Sequence, residues 1–216
     1  TGADGFIGKN LRVALGERSG YDVLPITRVS SAQDLRNAAA LSGAVIHLAG
    51  INRPQDPAEF AAGNAGFTAV LCDALASTGR AIPVAFASSI QAEHDNPYGQ
   101  SKRQGEAHLA NYGERSGAPV ALYRLANVFG KWSRPNYNSA VATFCHNIAR
   151  GLPIRIDDPE NNDMVYSSDW MLMVQGPAAL AAPEILATPG QPPPDDLRPW
   201  PLWTDAYSNL MQVFKG

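Results

Sequence analysis

Only two cysteines occur in the 216 residues, Cys72 and Cys145, and they have no metal-ligand spacing. That excludes a disulfide scaffold and a thiolate metal site, and both are expected to be core residues of a protein kept in a reducing, cytoplasmic compartment. The four histidines form no H-x-x-x-H pair, so no metal centre is expected. No apolar run approaches the roughly 20 residues that span a bilayer, and no membrane partner is expected. Basic charge is not in excess either. Seventeen Lys and Arg against 20 Asp and Glu give a formal net charge of −3, which leaves no electrostatic footprint for nucleic acid. Thr1 already lies inside a motif, so the lack of a leader peptide carries no information.

What is present suits one sizeable α/β domain: 45% hydrophobic residues, 19 glycines and 17 prolines, without an internal repeat. Residues 1–8 read T-G-A-D-G-F-I-G. Gly2, Gly5 and Gly8 stand three apart around Phe6 and Ile7, and the apolar spacing of Leu11, Val13, Ala14 and Leu15 continues as a helix. Glycines in such a turn let a pyrophosphate approach the backbone, and the helix N-terminus offers it free N–H groups; an ordinary glycine turn is the alternative. A strand from Tyr21 to Ile26 follows, ending in Thr27-Arg28. In a dinucleotide fold this strand end meets the adenosine ribose, where a basic residue accommodates the 2′-phosphate of NADP; otherwise Arg28 is a loop arginine. A short helix is expected over 32–41. A third strand, Ala44 to Gly50, is apolar as buried parallel strands are, and its end, Leu48-Ala49-Gly50, leaves room for a cofactor. His47 reads as a satisfied core histidine. Residues 58–78 read as a helix with a stripe of Phe67, Val70, Leu71, Ala74 and Leu75, ordinarily core packing, less often a helix-pair dimer contact.

The most informative stretch is S-S-I-Q-A-E-H-D-N-P-Y-G-Q-S-K, residues 88–102. Pro83 to Ala87 reads as a buried strand that delivers Ser88 and Ser89 at its end. Asn96 is a good N-cap and Pro97 a good first helical residue, which puts Tyr98 and Lys102 one turn apart on one helix face. A hydroxyl, a phenol and an ammonium converging there suit proton transfer at a carbonyl or carbinol oxygen. A cation beside the phenol is expected to lower its pKa from near 10. Gly99 and Gly105 weaken the helix, a cost that makes sense where a cofactor or another element approaches closely.

A fifth strand, Pro119 to Arg124, runs into L-A-N-V-F-G-K-W-S-R-P-N-Y-N-S, expected to be a loop. Loops at the carboxyl ends of parallel strands bind substrates. Trp132 suits stacking on a base or sugar, and Gln91, Asn127, Asn136 and Asn138 suit hydroxyl groups; Asn136 and Asn138 suit turns equally well. A helix over 140–150 and a strand at Ile154 to Ile156 are expected next. From about Pro177 proline recurs too often for regular structure, so the division is 1–176 as the cofactor-binding domain and 177–216 as a proline-rich segment, with a last short helix over Asp205 to Phe214.

The order of these elements, with a glycine-rich start, a strand-end serine and Y-x-x-x-K, resembles the extended short-chain dehydrogenase/reductase family. H-L-A-G-I-N-R-P, S-S-I-Q-A, D-N-P-Y-G-Q-S-K and N-V-F-G-K-W-S-R-P-N-Y-N-S-A-V-A-T-F-C resemble the reductase half of the CapF-type capsular polysaccharide enzymes, over roughly residues 1–157. Those enzymes join an NADPH-dependent reductase to a C-terminal cupin epimerase. The resemblance implies a Rossmann-type doubly wound parallel sheet and reduction of the C4 ketone of a UDP-2-acetamido-2,6-dideoxy-4-hexulose. It implies Ser89, Tyr98 and Lys102 as catalytic residues, the glycines and Arg28 as NADP ligands, a UDP-linked sugar as substrate and a homodimer. V-Y-S-S-D-W past Met164 and the proline-rich tail depart from the pattern. A cupin half is not in the chain, so no cupin epimerase activity is implied.

Two other classes stand beside the reductase. A nucleotide-sugar 4-epimerase or dehydratase would recycle its cofactor; Ile90 and Gln91 after Ser89 argue against dehydration, and Arg28 favours net reduction. A non-catalytic cofactor sensor would not need Ser89, Tyr98 and Lys102 together. The first strand of the sheet is expected to be missing from the chain. In the order 3-2-1-4-5-6 that would leave an empty slot beside the Tyr21 and Pro83 strands, with poor folding and poor NADPH binding by the 216 residues alone.

Overall fold

The computed structural model describes residues 1–154 and the backbone of residues 164–166. In chain order the elements are α1 (Phe6–Gly16), α2 (Ala32–Leu41), β1 (Val45–His47), α3 (Ala58–Phe60), a π-helix (Ala61–Gly66) and α4 (Phe67–Ala76). They continue with β2 (Val84–Ser89), a 3₁₀ turn (Ile90–Glu93), α5 (Pro97–Ser116), β3 (Val120–Leu125), β4 (Asn127–Phe129), α6 (Ala140–Ile148) and β5 (Met164–Tyr166).

β1, β2 and β3 form one parallel sheet in that spatial order, with Val84 opposite both Val45 and Val120. All six residues of β2 are buried. Side chains alternate across a strand, and each face of β2 has its own cover. Ala85 and Ala87 pack with Ala121, Tyr123 and Leu11 of α1. Val84 and Phe86 pack with Leu35, Leu71, Leu75, Leu109 and Tyr112 of α2, α4 and α5. Helices on both faces of a parallel sheet make the expected α/β, doubly wound arrangement.

Local chemistry fixes the helix starts. Ser31 and Asp34 form a capping box on α2. Asn96 accepts from the Gly99 N–H at 2.8 Å, and Pro97 opens α5. Tyr112 closes the far end of the core: its hydroxyl donates to the Ile82 carbonyl at 3.0 Å and accepts from the Ile82 N–H at 3.1 Å. Tyr112→Phe leaves the buried Ile82 carbonyl unpaired, at about 1–3 kcal/mol, while the Ile82 N–H keeps its bond to the Arg80 carbonyl at 3.1 Å. A denaturant melt of this variant is expected to show a loss of about 2 kcal/mol; an unchanged midpoint would mean that other partners replace the hydroxyl.

Several expectations are corrected. Tyr21 to Ile26 forms no strand: its tie to the sheet is a bond from the Ala3 N–H to the Ile26 carbonyl at 3.2 Å, and a ladder needs repeated pairs. The Thr1 N–H donates to the Ile46 carbonyl at 2.7 Å, and the Leu48 N–H donates to the Thr1 carbonyl at 3.2 Å. Residues 1–3 therefore run between the Ile26 segment and β1, while β1 pairs directly with β2. No empty slot lies beside the Pro83 strand. Residues 27–44 carry one helix, α2, which packs on α4 and so delivers the chain to the β2 side of residues 1–3. The third expected strand is confined to Val45–His47. The 58–78 helix is interrupted by the π-helix. The stretch after Leu125 is not all loop, because Asn127–Phe129 pairs in parallel with Met164–Tyr166. Cys72 is buried but Cys145 is exposed. Ile154 belongs to no strand; residues 155 and 156, the proline-rich segment and the expected last helix lie outside the described residues.

Candidate active site

The site forms where β2 ends. Its buried apolar run carries Ser89 to the edge of the sheet, and the 3₁₀ turn and Asn96 cap aim α5 back across that edge. The Ser89 hydroxyl accepts from the Gln91 N–H at 3.2 Å and stands close enough to the Tyr98 phenol to act on its titration. Tyr98 is half-buried, its ring 5.5 Å from that of Phe60. Lys102 is buried one turn on; its ammonium donates to the Ala87 carbonyl at 2.7 Å and lies 4.6 Å from the centre of the Phe86 ring.

Electrostatics correct one expectation. Burial raises the Tyr98 pKa above its ordinary value, with the Ser89 hydroxyl acting the other way, so Lys102 does not bring the phenol down as expected. The ammonium is turned to the Ala87 carbonyl instead. Burial lowers Lys102 itself to about 8, against the pull of Glu106. At neutral pH the arrangement is a protonated phenol, beside a serine, one turn from a lysine cation. It can donate a proton to an oxygen placed between Ser89 and Tyr98.

The glycine turn is built as a cradle. Gly2 has φ +70°, and a Cβ there would lie 2.6 Å from the Ala49 nitrogen. A Cβ on Gly8 would lie 2.3 Å from the Gly2 carbonyl oxygen. Gly5 N-caps α1 without a side-chain cap, so the first-turn N–H groups at Phe6 and Ile7 remain for an anion. Gly50 borders the same space, where a Cβ would come within 3.5 Å of the Lys102 ammonium. These residues fit the diphosphate and ribose of a dinucleotide. Arg28 is exposed beyond the Ile26 segment. Gly99 and Gly105 serve the protein rather than a cofactor. A Cβ on Gly99 would strike the Gln91 carbonyl at 2.0 Å, and one on Gly105 would touch Phe86 and Thr68 at 3.3 Å.

The expected substrate residues are dispersed. Asn127 is exposed in β4, and Gln91 accepts from the Asn96 amide at 3.0 Å. Trp132, at φ 68°, lies under the Lys131 ammonium, and Asn136, at φ 54°, adopts the left-handed conformation of a turn former. Asn138 accepts from Arg53 at 2.9 Å, and Arg53 also lies over the Tyr137 ring. The loop after β1 is thus tied to the loop after β4.

The sequence reading missed Arg53 and Asn64. Asn64 is buried in the π-helix, accepts from the Ile51 N–H at 2.7 Å and donates to Ser101 at 2.9 Å. It clamps the edge of the glycine cradle to the Tyr98 helix. Its signal, a lone Asn in a glycine-flanked A-G-N-A-G, was too weak to find it. His47 is a satisfied core histidine as expected, 2.7 Å from the Thr1 hydroxyl and 2.9 Å from that of Thr68.

The chain belongs to the NAD dependent epimerase/dehydratase family, whose profile matches residues 1–174. It is 55% identical over 170 residues to UDP-2-acetamido-2,6-beta-L-arabino-hexul-4-ose reductase of Pseudomonas aeruginosa, covering 78% of this chain and 46% of the relative. The solved capsular polysaccharide assembling protein CapF from Staphylococcus aureus is 39% identical with a TM-score of 0.70, over 80% of this chain and 47% of that one. RMD from Pseudomonas aeruginosa, solved with NADPH, shares the fold at 23% identity and a TM-score of 0.66, over 81% of this chain and 71% of that one. The chain spans about half the length of the first two.

Proposed function

We propose that this chain carries the reductase part of a nucleotide-sugar enzyme, which reduces the C4 ketone of a UDP-2-acetamido-2,6-dideoxy-4-hexulose with NADPH. The observation that carries the reading is the protonated Tyr98 phenol beside the Ser89 hydroxyl, one turn from Lys102, in a chain 55% identical to a protein named as such a reductase. When bound, NADPH supplies the hydride. Ser89 orients the ketone oxygen by a hydrogen bond. Tyr98 gives its proton to that oxygen as the C–O double bond becomes a carbinol. Lys102 holds the nicotinamide ribose. Phe6, Ile7, Leu48 and Ala49 line the cofactor cradle with Gly2, Gly5, Gly8 and Gly50, and Gln91, Asn127, Trp132, Asn136 and Asn138 are assigned to the sugar nucleotide. A homodimer and a cytoplasmic place belong to the same proposal.

The experiment is direct. Protein, NADPH and the UDP-linked 4-ketosugar are mixed and nicotinamide absorbance is followed. Catalytic loss of NADPH with formation of the 4-hydroxy sugar is expected. Isomerisation of a UDP-sugar without net loss of cofactor would favour an epimerase instead.

Arg28 is proposed to read the 2′-phosphate. A hydrogen bond to a charged group contributes about 1.5–3 kcal/mol, so Arg28→Ala is expected to weaken NADPH binding about ten- to a hundredfold and leave NADH nearly unchanged. Titration with both cofactors checks this; an equal loss for each would reject Arg28 as the discriminating residue.

A further inference from the structure

Residues 98, 102 and 106 share one face of α5, and the third is Glu106, a carboxylate buried to 7% exposure. Ser88 donates to its Oε1. Arg124 grips it at both oxygens, Nε to Oε1 at 2.9 Å and Nη2 to Oε2 at 2.7 Å, and reaches Glu93 with Nη1 at 3.0 Å. Ser88 and Arg124 are register partners on β2 and β3, so both strands offer a donor to one helix residue at the same level. Ser88 precedes Ser89, Glu93 ends the turn that follows it, and Arg124 stands three residues before Asn127. One carboxylate therefore joins the strand end that holds the serine, the helix that holds the phenol and lysine, and the strand that leads to the sugar-side loop.

We propose that Glu106 is a positioning residue for the reduction: it fixes Ser89 against Tyr98 through Ser88 and Arg124, and its charge keeps buried Lys102 a cation. The inference rests on the reductase reading. The groups facing Lys102 support it. On its own helix are Tyr98 and Glu106; from β2 come the Phe86 ring and the Ala87 carbonyl; from the cradle side come Gly50 and the uncharged amide of Asn64. His47 on β1 is fully buried and held neutral, its pKa well below the ordinary value through burial. Glu106 is the anion that acts on Lys102. Burial works against the Glu106 charge, but the hydrogen bonds from Arg124 and Ser88 prevail and its pKa is lowered. It is thus an anion throughout the neutral range.

The sign of the effect follows. Lys102 is a cation below its own pKa, which burial has brought to about 8. Removing the Glu106 charge brings it lower, so the alkaline limb of the kcat profile should move to lower pH. A merely structural loss would lower kcat equally at every pH and leave the limb in place. Glu106→Gln is expected to shift the limb down by on the order of one pH unit, equivalent to about a tenfold lower kcat on the alkaline side. Glu106→Asp keeps the charge and should restore the limb. Ser88→Ala removes a positioning bond but no charge, and should lower kcat without moving the limb. Glu106→Gln also leaves Arg124 without its main partner, so Glu106→Gln/Arg124→Met, which removes the pair together, is read in its place if the single variant does not fold. Removing the Arg124 cation along with the anion offsets part of the effect on Lys102, so a smaller downward shift of the limb is expected. An unmoved limb in the folded variant, or an unchanged kcat, overturns the proposal. Absence of turnover in the unsubstituted protein would instead sink the reductase reading itself.

Discussion

Tyr98→Phe is expected to lower ketone reduction by about 10²–10⁴-fold, the range that a positioned general acid contributes, with NADPH affinity little changed. The substitution keeps the ring and its 5.5 Å contact with Phe60 and removes only the hydroxyl. Three features make that hydroxyl costly to lose. Burial keeps it protonated at neutral pH, so the proton is there to give. Ser89, whose own orientation is fixed by the Gln91 N–H, is proposed to place the acceptor oxygen beside it. The neighbouring ammonium is turned to the Ala87 carbonyl, so Lys102 does not stand in as the donor. Turnover should be measured by single-turnover absorbance and cofactor affinity by nicotinamide fluorescence. A Tyr98→Phe protein with near-normal turnover would remove Tyr98 from the chemistry. One with normal chemistry on bound substrate but weak cofactor binding would reassign it to the ribose.

The parts of this site that could be read in the sequence were those set by short-range chemistry. Asn96-Pro97 announced the start of α5, and four-residue spacing then put Tyr98 and Lys102 on one face. Pro83 to Ala87 announced a buried strand. What escaped reading depends on contacts between distant segments. Asn64 meets Ser101 across 37 residues and Arg53 meets Asn138 across 85, and no periodicity encodes either. The direction of the Tyr98 pKa also escaped. Residue types place a cation near a phenol, but only the packing shows the ammonium turned to a carbonyl and burial winning. Strand order failed for a related reason: an apolar run predicts a buried strand, not its neighbour. Tyr21 to Ile26 has a strand's composition, yet pairing decides a strand, and the Ala3–Ile26 bond alone does not make one.

Gly8→Ala should do the most damage to the glycine cradle, and Gly16→Ala on the same helix provides its control. Both glycines belong to α1, where intrinsic propensity alone favours alanine by up to about 1 kcal/mol. At Gly16 nothing lies within 4 Å of the added Cβ, so that preference should show, raising Tm by about 2–4 °C for a chain of this size. At Gly8 the Cβ would lie 2.3 Å from the Gly2 carbonyl oxygen and 2.8 Å from that of Ala3. Both are backbone atoms and cannot swing aside as a side-chain tip would. Gly2 in turn is pressed against Leu48 and Ala49, and Ala3 is bonded to Ile26, so the turn has no free direction in which to retreat. The helix must back away, at the upper end of the about 1–3 kcal/mol typical of overpacking. A fall in Tm of about 6–12 °C follows from that cost. The same displacement withdraws the N–H groups of Phe6 and Ile7 from the phosphate position. NADPH affinity should therefore fall by about a hundredfold, the factor that corresponds to about 3 kcal/mol, while Gly16→Ala leaves it alone. Thermal melts without cofactor, followed by cofactor titration below the melting range, separate the two effects. If Gly8→Ala binds NADPH as tightly as the unsubstituted protein, the cofactor does not lie on the N-terminus of α1, and the cradle is only a tight turn.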